Sequence, residues 1–159
     1  MNWDALGAIG EAAGAIGVVA SLAYLALQIR NNTQGLRSGA VQSITDRTVE
    51  LALTLATDPT ISEILDRGYT ALDSLSEEEQ RRFRQVIHAQ MQNYEAAYYH
   101  YRTGFLDEGQ WLPMRRRLEY AFGRPGIREL WTGLSRAHGD EFVAVCEEIL
   151  KTRESNGAA

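Results

Sequence analysis

The sequence predicts an all-α protein: one N-terminal transmembrane helix that continues toward a stalk, then a compact cytoplasmic helical bundle. Three observations carry this. Residues 12–29 form an uncharged run of eighteen. Beyond residue 34, apolar residues recur at spacings of three and four, the period of a helix with one buried stripe. No stretch alternates apolar and polar residues as a half-buried strand does, and no segment repeats at a fixed period. The expected organisation is a transmembrane helix over 1–30, a juxtamembrane helical stalk over 31–57, a bundle over 58–153 and a frayed tail over 154–159.

Composition narrows the class further. Of the 159 residues, 45% are apolar, too many for a disordered chain. A single cysteine rules out a disulfide-stapled module. The formal charge of −5 argues against nucleic acid as a partner. That charge is blocked: residues 58–80 carry seven acids against Arg67, and residues 81–128 carry nine arginines against four acids.

The first helix is the informative one. At ~1.5 Å per residue, residues 12–29 span roughly 27 Å, close to the ~30 Å hydrocarbon core of a bilayer. Trp3 precedes the run and Arg30 follows it, as interfacial anchors would. A secretory signal fits poorly, because no Lys or Arg precedes the run and Asp4 does. Arg30, Arg37 and Arg47 follow the segment, so the positive-inside rule places residues 30–159 in the cytoplasm and the N-terminus outside. The competing reading is a soluble ligand-binding protein whose first helix is buried core. It asks about 130 other residues to enclose a helix that is apolar all round.

Small residues share one face of this helix. Gly10, Gly14, Gly17 and Ser21 recur at spacings of four, three and four. In lipid, close backbone approach drives helix association, and small residues permit it. The expectation is a homo-oligomer, or docking on another membrane protein, through this face. Glu11 stands at the edge of the segment as an interfacial acid; in a small oligomeric channel or pore it would ring the mouth.

The remaining elements follow in order. Val41, Ile44, Thr48, Leu51 and Leu55 form one stripe, so the first helix continues as a stalk unless Asn31-Asn32-Thr33 and Gly35 break it. Asp58-Pro59 sets a helix start, with an N-cap acid before proline at the first helical position. Ser76-Glu77-Glu78-Glu79 is a capping box. The helix it opens has a core face of Phe83, Ile87, Met91, Tyr94, Tyr98, Tyr101 and Phe105, with Gly104 as terminator. Another helix carries Trp111, Met114, Leu118 and Phe122; Pro113 fits only near its first turn. Arg124-Pro125-Gly126 restarts the chain ahead of Ile127, Leu130, Trp131 and Leu134, and Gly139-Asp140 opens the last helix.

Chemistry-bearing motifs are missing. The chain has no phosphate loop, dinucleotide fingerprint or nucleophile elbow. Cys146 sits among Val145 and Ile149 and reads as a small buried hydrophobe. His88, His100 and His138 lie in no ligand-spaced motif. His88, Gln92, Glu95 and Tyr99 share a face opposite the aromatic one, which reads as a solvated stripe. No catalytic residue, cofactor or metal is expected. Arg30, Arg37, Arg115, Arg116 and Arg117 are candidate contacts to anionic lipid headgroups, although consecutive arginines fan out by ~100° each on a helix.

Two blocks carry a resemblance. The segment GAIGEAAGAIGVVASLAYLALQIRNNT resembles the opening of an uncharacterised bacterial family: a small-residue hydrophobic helix, then Tyr-Leu-Ala, Gln-Ile-Arg and Asn-Thr. Arg124-Pro125-Gly126-Ile127-Arg128 with Trp131, followed by Phe142, is similar to that family's second recurring block. The resemblance implies a helical protein anchored in the bacterial inner membrane and transfers no activity. The expected function is a membrane-anchored interaction or assembly module.

Overall fold

The computed structural model describes the backbone of residues 3–157 and the side-chain surroundings of residue 11 and residues 14–155. Among the described residues there are six α-helices and no strand. They are α1 (Trp3–Thr57), α2 (Pro59–Thr70), α3 (Glu77–Arg102), α4 (Glu108–Ala121), α5 (Pro125–Leu134) and α6 (Asp140–Gly157). Short 3-10 turns at Leu72–Ser74 and Ser135–Ala137 link α2 to α3 and α5 to α6. The chain divides into two compact units, Met1–Gly39 and Ala40–Ala159.

In the first unit, α1 runs through Asn31-Asn32-Thr33 and Gly35 without a break. Thr33 is accommodated because its hydroxyl donates to the Ile29 carbonyl at 2.9 Å, which satisfies it inside the helix. The second unit begins at Ala40, so residues 40–57 are bundle, not stalk. The stripe read there is real, and it needs cover. Ala40 and Ile44 are buried, and Ile44 joins Ala97, Leu106 and Trp111 in one apolar cluster. Thr48 on the same stripe accepts a hydrogen bond from the Asn93 amide of α3 at 3.1 Å.

Local signals set the other helix ends. The Asp58 carboxylate accepts from the amides of Thr60 and Ile61, filling two of the orphan donors at the start of α2. Ser76 and Glu79 complete a reciprocal capping box on α3, and Asp107 and Gln110 complete a second on α4. After α3 the chain reverses at Gly104, whose φ of 76° is open to glycine without penalty. Pro113 is the sixth residue of α4, deeper than the first turn. The carbonyl it leaves without a helical donor belongs to Gly109, which is exposed and so open to water. Residues 154–157 remain helical, with the Ser155 hydroxyl donating to the Lys151 carbonyl at 3.1 Å. Residues 158 and 159 lie outside the described residues.

The main core gathers one face from each helix of the bundle. Phe83, Ile87 and Met91 of α3, Leu118 of α4, Ile127 of α5 and Phe142, Cys146 and Ile149 of α6 are all buried in it. The larger core faces read from the sequence at Phe83, Ile87, Met91 and Tyr94 are buried, whereas Tyr98, Tyr101 and Phe105 are half-buried. Tyr98 packs against Trp111 and Phe142, with ring centroids at 5.5 and 6.2 Å, so it borders both apolar clusters. The α2–α5 contact is closest at Gly68 and Gly126, both buried.

Candidate membrane-spanning segment

Among the described residues one helix is long and apolar enough to cross a membrane: α1 over Gly14–Thr57, with a mean hydropathy of 1.2 in its qualifying window. None of that window is buried. Ile16, Val19 and Ile29 expose 70%, 66% and 67% of their surface, and Val18, Leu22, Tyr24, Leu25 and Leu27 are likewise exposed. Burying one such aliphatic side chain is worth ~1.5–3 kcal/mol. Seven of them left in water therefore forgo roughly 10–20 kcal/mol, a sum comparable to the whole stability of a typical domain. Apolar exposure on this scale marks a surface made for a partner or a bilayer.

The polar groups in the segment are compatible with lipid. A helix satisfies its own backbone, which is why helices cross bilayers. The Ser21 hydroxyl donates to the Gly17 carbonyl at 2.8 Å and so presents no free donor. Gly14 and Gly17 have nothing within 4 Å of where a Cβ would stand, so the small face is open. Gly10 lies outside the residues whose surroundings are described. Glu11 is exposed, and so are Arg30 and Arg37.

The other arginine candidates divide. Arg115 pairs with Glu119 at 3.2 Å and with Glu148 of α6 at 2.9 Å, which commits its guanidinium to the α4–α6 contact. Arg116 and Arg117 are exposed. The acidic block of residues 58–80 answers part of its charge internally, through the Arg67–Glu79 pair. Glu79, bonded first by the Ser76 backbone amide and then by Arg67 and the Ser76 hydroxyl, has its carboxyl pKa lowered to about 2.

One grouping escaped the sequence. The stripe of His88, Gln92, Glu95 and Tyr99 is not uniformly solvated: Gln92 and Tyr99 are exposed, but His88 and Glu95 are half-buried. Glu95 turns toward the chain ahead of α6. Its Oε2 lies 2.7 Å from Nδ1 of His138, and its Oε1 accepts the Gly139 amide at 2.7 Å. The His138 side chain is fully enclosed. Its ring meets those of Trp131, His88 and Phe142 at 5.4, 5.5 and 5.6 Å. Glu95 and His138 stand 43 positions apart, and no motif joins them.

Cys146 is buried, and that burial first, with the nearby Glu147 and Glu95 charges, pushes its thiol up to about 12. It is a packing residue at neutral pH, because a thiol and not a thiolate is present. No group of three or more potential metal ligands converges among the described residues. Comparison with protein-family models, with curated proteins and with solved structures found no match.

Proposed function

We propose that this chain is a membrane-anchored helical interaction module. In this reading residues 14–29 cross the bacterial inner membrane, the N-terminus lies outside and the bundle lies in the cytoplasm. The observation that carries it is the exposed, uncharged apolar surface around every side of α1 between Gly14 and Ile29. The charge distribution supports the orientation, with Glu11 on one side and Arg30, Arg37 and Arg47 on the other. The open small-residue face supports a homo-oligomer assembled through Gly10, Gly14, Gly17 and Ser21. Exposed Arg30, Arg37, Arg116 and Arg117 are the cations available to anionic headgroups.

Carbonate extraction of membranes tests the anchor. The full chain is expected in the pellet. The full-length double variant Val19→Arg, Leu22→Arg is expected in the supernatant, because each arginine near the middle of a span costs ~2.5–3.5 kcal/mol. Release of the unaltered chain by carbonate contradicts the reading.

A further inference from the structure

We propose that the outward face of α4, from Leu112 to Tyr120, docks the bundle on an anionic bilayer surface. The proposal rests on the membrane-anchored reading above and names the lipid chemistry that one face of the bundle takes. At ~100° per residue, Leu112, Pro113, Arg116, Arg117 and Tyr120 fall within about 140° of one another around the helix. All five are exposed. Trp111, Leu118 and Ala121 take the buried side. That outward arc holds no acid. Glu119 at its edge is paired with Arg115 at 3.2 Å, and Glu108 stands at the other end of the helix.

Further guanidiniums gather where α4 ends. Arg153 of α6 donates to the Glu119 carbonyl at 3.3 Å, and Arg128 of α5 donates to the Phe122 carbonyl at 2.9 Å. The last carbonyls of a helix favour cations in this way. Arg124 stands over the Tyr120 and Tyr69 rings, 5.1 and 5.4 Å from their centroids, and donates to the Tyr120 hydroxyl at 2.6 Å. The Tyr120 ring is thus held in place while 68% of the residue stays exposed. Arg116, Arg117, Arg124 and Arg128 are in no ion pair among the described residues, whereas Arg67, Arg82, Arg102 and Arg115 are each matched by a glutamate. From α2 the acid that acts on Tyr69 is Asp66, one carboxylate against these cations.

The shape and chemistry of the face select its partner. A helix face is convex and does not enclose a small anion as a pocket does. It fits an extended anionic surface. An exposed tyrosine, apolar in its ring and polar at its tip, belongs at the headgroup level of a bilayer. Leu112, 39% exposed, adds apolar contact on the same face. Each arginine near an anionic leaflet strengthens binding about fivefold. An anchored chain meets that leaflet at a high effective concentration, so a weak contact is populated. The formal charge of −5 on the whole chain disfavours nucleic acid as the anionic partner.

The test uses the full chain in lipid nanodiscs, with Cys146→Ala and with Pro113→Cys carrying a fluorophore. A nitroxide on the lipid headgroups reads contact as quenching. Quenching is expected to rise at least about threefold when about a third of the phosphatidylcholine is replaced by phosphatidylglycerol, and to fall back at high salt. The same fluorophore at Ala89→Cys, on the exposed side of α3, is expected to change less than about 1.5-fold. Arg116→Gln with Arg117→Gln weakens the contact about 25-fold and returns quenching at position 113 to its neutral-lipid level. Lysine at both positions keeps the response, because a lipid surface reads charge and not the fork of a guanidinium. Quenching that ignores the anionic lipid overturns the proposal, as does an equal rise at positions 113 and 89. Reversal by phosphate far beyond that by chloride at the same ionic strength assigns the face to a small anion and overturns it too. A chain that does not enter the discs refutes the anchor reading alone. Added to anionic vesicles, that chain must still be quenched at position 113, and absence of quenching there overturns the docking face.

Discussion

Replacing Gly126 by alanine tests whether the α2–α5 crossing is set by backbone contact. A Cβ at Gly126 would fall inside van der Waals contact with the Gly68 carbonyl oxygen and 3.0 Å from the Gly68 carbonyl carbon. No rotamer change relieves that clash, because the obstacle is main chain. Nor can α2 recede freely: on its other side a Cβ at Gly68 would meet the buried Phe83 ring at 2.5 Å. Overpacking of this kind costs ~1–3 kcal/mol, and the backbone obstacle argues for the upper end. Alanine's better helix propensity returns at most ~1 kcal/mol, which leaves a net loss of about 2 kcal/mol. Gly133 on the same helix is the internal control, since nothing lies within 4 Å of its Cβ position. Gly133→Ala should gain about 0.5–1 kcal/mol. The same chemical change should thus move stability in opposite directions at two sites seven residues apart on α5. Thermal unfolding followed by near-ultraviolet circular dichroism of the full chain in mild detergent reads both. Gly126→Ala should melt roughly 10 °C below the native chain, and Gly133→Ala a few degrees above it. A Gly126→Ala protein as stable as native, or one that shifts in the same direction as Gly133→Ala, refutes a contact-limited crossing.

Four further outcomes follow from the same geometry. Phe83→Ala removes a fully buried ring that meets Tyr69 edge-on at 5.8 Å and should cost ~3–5 kcal/mol by denaturant unfolding. Because Glu79 is held at about 2, below its ordinary 4.5, its contribution is complete above about pH 4.5 and lost as pH falls toward 2. Arg67→Met, which removes the second-largest bond to the Glu79 carboxylate while the Ser76 amide stays, should remove part of that acid-side slope from the curve of stability against pH. Cys146 should resist iodoacetamide at neutral pH in the folded chain and react only on unfolding, as its thiol is pushed up to about 12. Gly14→Ile should reduce oligomer size in detergent sedimentation; an unchanged size counts against the small-residue face.

Helix starts were legible because capping chemistry is local. Asp58-Pro59 and Ser76 with Glu79 announce themselves within four residues, and the structure uses them so. The aromatic face of α3 was legible from spacing alone down to Tyr94. The stripe from Val41 to Leu55 was equally visible, but periodicity does not name the partner. Residues 40–57 read as a stalk because Ala97, Leu106 and Trp111, which cover Ile44, lie more than fifty residues away. The Gly68–Gly126 crossing and the Glu95–His138 grip were hidden for the same reason. Each joins positions that only the fold brings together, and neither has a spacing signature. His88 and Glu95 were assigned to solvent because a helical wheel cannot say that the chain ahead of α6 covers half of their face.

The central claim is that the exposed apolar surface of α1 lies in a bilayer. The most direct measurement is labelling of an introduced cysteine, Leu22→Cys, by a water-soluble maleimide in native membranes and again after solubilisation in SDS. Both variants carry Cys146→Ala, because the buried native thiol would react once SDS unfolds the bundle, and Gln34→Cys, just beyond the span, serves as the accessible control. The account predicts that position 34 reacts in intact membranes and position 22 reacts only after SDS. Equal labelling of the two positions in intact membranes would place the segment in water and contradict it.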